Sequence, residues 1–80
     1  MTLKEFLTTA YHEDKVQVII CHEPTKQEWL TDTPTTAKEA LTCPETKDHL
    51  KTEVYFFSSV LFEDTKAKTF YPIFRVYIKD

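Results

Sequence analysis

At 80 residues the chain is one domain near the lower limit of independent folding, so its apolar burial must be dense. Nine lysines and one arginine stand against thirteen acidic side chains, a net charge of −3 that argues against nucleic acid, which wants a basic face and arginine forks. Glycine and asparagine are both absent. That excludes phosphate-cradling loops, dinucleotide fingerprints, nucleophile elbows and EF-hand loops, and every turn is expected to use ordinary backbone geometry.

Thr2-Leu3-Lys4-Glu5 is a capping box, so a helix is expected from Leu3, with Leu3, Phe6, Leu7 and Ala10 as its apolar stripe. Val16 to Cys21 reads as a β-branched strand with Val16, Val18 and Ile20 on one face. Pro24 marks a turn, and Gln27 to Thr31, centred on Trp29, reads as a short returning strand. Thr33-Pro34 is expected to open a second helix, with a further capping box at Thr36-Ala37-Lys38-Glu39. Ala37, Ala40 and Leu41 are its apolar stripe, Pro44 is expected to end it, and Glu45 to His49 form a further turn anchored by Leu50.

From Thr52 the apolar period changes to two. Val54, Phe56, Val60 and Phe62 are assigned to one face of a long strand, and Tyr55, Phe57, Ser59 and Leu61 to the other. A polar loop over 63–68 leads to a last strand, Thr69 to Lys79. Its Phe70, Phe74, Val76 and Ile78 share one face, and Tyr71, Ile73, Arg75, Tyr77 and Lys79 the other. Pro72 donates no ladder bond and is expected at a local edge or bulge. The resulting expectation is an α+β domain of two layers in the order α-β-β-α-β-β. An antiparallel sheet of about four strands would be packed on its even-numbered face by two short helices.

The odd-numbered face concentrates tyrosine, phenylalanine and arginine, the composition of an interface core. The candidate protein-binding residues are Trp29, Tyr55, Tyr71, Arg75 and Tyr77, with the acids Glu63 and Asp64 at the hairpin end. The partner expected is a larger host protein or nucleoprotein effector, or a second copy in a homodimer. No catalytic residue, cofactor or metal ligand is assigned, and the alternative reading from another class is a small cysteine- or metal-dependent enzyme using Cys21 or Cys43 with His49. His12, Cys21, His22, Cys43 and His49 lack Cys-x-x-Cys or His-x-x-x-His spacing, and the two cysteines are read as small apolar thiols. There is no apolar run long enough for a bilayer, and the first five residues lack the features of a secretory signal, so a cytoplasmic location is expected.

The order of elements resembles that of small accessory proteins from phages and other mobile elements of Gram-positive bacteria. The patches that carry the likeness are Thr2-Leu3-Lys4-Glu5-Phe6-Leu7, Val16-Gln17-Val18-Ile19-Ile20, His49-Leu50-Lys51-Thr52-Glu53-Val54-Tyr55 and Phe74-Arg75-Val76-Tyr77-Ile78. The resemblance implies a host-interference role in the host bacterial cytoplasm, with an anti-CRISPR inhibitor of an effector nuclease as its sharpest form. The modest acidic excess departs from the strongly acidic, nucleic-acid-mimicking members of that class, a departure that speaks against mimicry and leaves steric occlusion open.

Overall fold

A computed structural model describes residues 1–23 and 25–79, so the turn residue Pro24 lies outside the described residues. The elements are α1 (Leu3–Thr9), β1 (Lys15–Glu23), β2 (Lys26–Trp29), β3 (Thr35–Thr36), α2 (Ala37–Ala40), α3 (Pro44–Lys47), β4 (Val54–Asp64) and β5 (Thr69–Lys79). The capping box closes α1: the Thr2 hydroxyl accepts the Glu5 N–H at 3.2 Å, and the Glu5 carboxylate accepts the Thr2 N–H at 3.0 Å.

Thr33-Pro34 does not open a helix. The backbone after it is taken first by β1 and its lead-in: Thr35 and Thr36 pair with Val16 and Lys15, and Ala37 N–H donates to the Asp14 carbonyl. Only then does the helix begin, with the Thr36 hydroxyl accepting the Glu39 N–H. Pro44 ends that turn of helix, as expected, but it also opens α3, because a proline fits the first helical position, where no N–H partner is required. The Thr46 hydroxyl donates back to the Ala40 carbonyl and ties the two short helices together.

The sheet has five strands in the path β2-β1-β5-β4, with β3 sharing an edge of β1 with β2. The expected all-antiparallel arrangement of about four strands is therefore corrected. β1 and β5 are parallel, with Val16 opposite Phe74 and Ile20 opposite Ile78. The reason lies in the connection. α2 and α3 carry the chain to the far side of the sheet, β4 takes the outer edge, and its hairpin returns β5 between β4 and β1. β1 and β5 bury apolar side chains on both faces, Val16, Val18, Ile20, Val76 and Ile78 on one and Ile19 and Ile73 on the other, which suits central strands. Between β2 and β3 the ladder on β1 is completed by Thr31, whose hydroxyl accepts the Val18 N–H at 2.9 Å, and by Leu30, whose N–H donates to the Val18 carbonyl.

β4 and β5 pair antiparallel along their length, but β1 joins β5 only from Phe74 onward. Pro72 thus sits in the two-stranded half of the hairpin, where its missing N–H leaves no central ladder broken, as its chemistry requires. The hairpin loop departs from the expected geometry: Lys68 has φ 55°, in the left-handed region. Asp64 accepts the Lys66 and Ala67 N–H groups and holds the turn that forces it.

The main core cluster lies on the sheet face covered by α1 and α2. Leu3, Phe6 and Leu7 of α1 and Ala37 and Ala40 of α2 pack on Val16, Val18, Ile20, Val76 and Ile78. Strict alternation along β4 fails at one point. Val54 pairs with Ile78, but a bulge follows, and Phe56 then pairs with Tyr77 and Phe57 with Val76. One extra residue exchanges every later side chain between the faces. Phe56, Val60 and Phe62, expected in the core, stand on the opposite face, and Phe57 and Leu61 stand on the helix side. Phe57 meets Phe6 at 4.9 Å between ring centres. Phe70 was also expected in the core but is 65% exposed, because it lies out on the two-stranded end.

Candidate functional site

The sheet face opposite α1 and α2 carries one continuous row across four strands. Register places Trp29 of β2 beside Ile19 of β1, Ile19 beside Tyr77 of β5, and Tyr77 beside Phe56 of β4. Ile19 is fully buried within the row, while Trp29 and Phe56 at its ends are 43% and 47% exposed. Phe56 stacks on Tyr77 with ring centres 4.3 Å apart and planes within 14°. Tyr55, the residue at the bulge, is exposed and lies edge-on to Phe56, with the Lys79 ammonium 5.9 Å from its ring.

Arg75 lies beside this row and is held from two sides. Its Nε donates to the Gln17 side chain at 3.0 Å, and its guanidinium carbon sits 5.2 Å over the Trp29 ring. Gln17 is itself buried and donates through Nε2 to the Asp32 carbonyl, so its orientation is fixed by backbone. A guanidinium has five N–H donors, and only Nε is engaged among the described residues. The result is a planar cation, half-buried and pre-oriented, against the Trp29 ring. Further along, Phe62 and Tyr71 pack at 5.6 Å, and Val60 pairs with a buried Ile73.

The structure therefore brings Trp29, Tyr55, Tyr71, Arg75 and Tyr77 onto one face. It does not bring Glu63 with them, and Asp64, though in register with this face, is turned to its own loop. Glu63 pairs with Phe70 on the helix side. Sequence reasoning missed Phe56, whose place depends on the bulge, and Gln17, whose signal was present: one polar side chain inside Val-Gln-Val-Ile-Ile. A groove of about 510 Å³ at one end of the face is lined by Cys21, His22, Glu23, Gln27, Tyr55, Phe56 and Lys79.

The groups weighed for chemistry sit apart from this row or at its margin. His22 Nε2 lies 3.0 Å from the Glu28 carboxylate. The Cys43 thiol donates to Glu45, and that hydrogen bond holds the Glu45 carboxyl below its ordinary range. Cys21 and Cys43 are free thiols. Among the described residues no three His, Cys, Asp or Glu side chains are grouped to hold a metal ion, and no helix is long and apolar enough to cross a membrane. No family model, curated protein or solved structure matches the chain.

Proposed function

We propose that the protein is a non-catalytic binding module that occludes part of a larger protein with the sheet face opposite α1 and α2. The observation that carries this reading is the row Trp29–Ile19–Tyr77–Phe56 flanked by a fixed Arg75. Tryptophan, tyrosine and arginine are the side chains in which interface affinity concentrates, and here they are ordered before any partner arrives. The engaged Nε and ring contact leave Arg75 aimed by the protein itself, so a partner carboxylate meets it without ordering a long side chain. The phage-like resemblance makes host interference the form to examine first, with a CRISPR effector complex as the target.

The test is DNA cleavage by purified effector complexes titrated with the protein. Inhibition is expected with at least one effector. Trp29→Ala together with Tyr77→Ala weakens it by about 2 kcal/mol or more in affinity while the circular dichroism spectrum is retained. Inhibition that survives this double truncation in a folded variant removes the face from the reading.

A further inference from the structure

The two edges of the sheet are built differently. β2 is four residues long and carries Lys26 and Glu28, the short and charged construction that discourages strand addition. β4 is eleven residues long and holds neither charge nor proline from Phe56 to Phe62. Its start is covered, because the Val54 N–H donates to the Met1 carbonyl and Thr2 bridges Glu53. From Tyr55 to Asp64 the outer side of β4 has no strand partner among the described residues.

We infer that β4 pairs edge to edge with β4 of a second copy of this chain, antiparallel about a two-fold axis at Ser59. The free stretch fixes the neighbourhood of the axis, since its midpoint falls between Ser59 and Val60. A two-fold axis perpendicular to the sheet keeps each side chain on its own face, so directly opposed residues must face the same way. The axis therefore passes through one residue and not between two. At Val60 it would set Phe56 against Asp64 and Phe57 against Glu63. At Ser59 it sets Phe56 against Phe62 and Phe57 against Leu61, with serine opposite serine, because Phe-Phe-Ser-Ser-Val-Leu-Phe is nearly palindromic in apolarity.

Both faces gain from that register. On the helix side it covers Leu61, 71% exposed in the single chain, with Phe57 of the second copy. On the other side the stacked Phe56–Tyr77 pair meets the Phe62–Tyr71 pair of the second copy, making one aromatic band across the axis. Assembly stops there, since the remaining outer edge of each chain is the blunted β2. The inference stands independently of any target: the junction takes in the Phe56 end of the row, while Trp29 on β2 lies at the opposite edge of the sheet.

Sedimentation of the native chain at about 100 µM is expected to give twice the 9.5 kDa chain mass. Ser59→Lys sets two ammonium groups face to face at the axis and is expected to give a folded monomer. In a Cys21→Ser, Cys43→Ser background, Ser59→Cys is expected to oxidise to a covalent dimer, since directly opposed residues lie within disulfide reach. Thr65→Cys in the same background is expected to form the dimer without a covalent cross-link, since the two copies of position 65 lie far apart in this register. Should Ser59→Lys fail to fold, the cross-linking pair decides alone. A native monomer at that concentration, a dimer that survives Ser59→Lys, or equal cross-linking at the two cysteine positions overturns the inference. The first outcome would leave the edge available to a strand from a different protein.

Discussion

Lys68 takes a conformation that the chain has no glycine or asparagine to fill. A side chain at left-handed φ costs about 1 kcal/mol or more, and the Asp64 turn over-determines it. Lys68→Gly is expected to raise stability by about 1 kcal/mol, less the entropy that glycine adds to the unfolded chain. A denaturant midpoint that falls would show the loop to be relaxed. At the other end of the chain, Glu5 is held below its ordinary carboxylate range, first by the Thr2 backbone N–H and then by the Thr2 hydroxyl. A lowered folded-state value contributes stability above the unfolded carboxylate range, and that contribution disappears as pH falls through the folded value. Glu5→Gln keeps an acceptor for the capping box but cannot titrate. Its stability is expected to fall less steeply below the carboxylate range than that of the native chain, as read from denaturant midpoints against pH.

The elements that sequence made legible were those with local chemistry behind them. The α1 capping box, the β1 face of Val16, Val18 and Ile20, and the edge-seeking Pro72 each follow from residues that specify their own geometry. The β4 bulge did not follow, because Val-Tyr-Phe-Phe reads equally well in either register and its ambiguity is resolved only by partners distant in sequence. Phe6 decides for Phe57, and Tyr77 decides for Phe56. A double-mutant cycle tests this choice. Phe6→Leu with Phe57→Leu is expected to show a coupling of about 0.5–1.5 kcal/mol, and Phe6→Leu with Phe56→Leu none. Coupling of Phe6 to Phe56 instead would restore plain alternation and dissolve the row that Phe56 completes.

For the whole molecule, the parallel pairing of β1 with β5 is what assembles the candidate face. A purely antiparallel order following the chain would have separated Trp29 and Ile19 from Tyr77, whereas the observed order puts them on adjacent strands. Side-chain chemistry announced an aromatic face, but which residues share it depended on strand order, a property of long-range connection that local periodicity does not encode. Arg75 shows the same division. Its type pointed to an interface, while its aim comes from Gln17 and Trp29 on two other strands.

Hydroxyl-radical footprinting of the protein bound to an effector that it inhibits tests the use of this face most directly. Trp29, Phe56 and Tyr77 are expected to lose reactivity on binding, while Tyr11, exposed beyond α1, keeps its own. Protection of Tyr11 with Trp29 and Phe56 left unchanged would place the contact on the helix side and contradict the account.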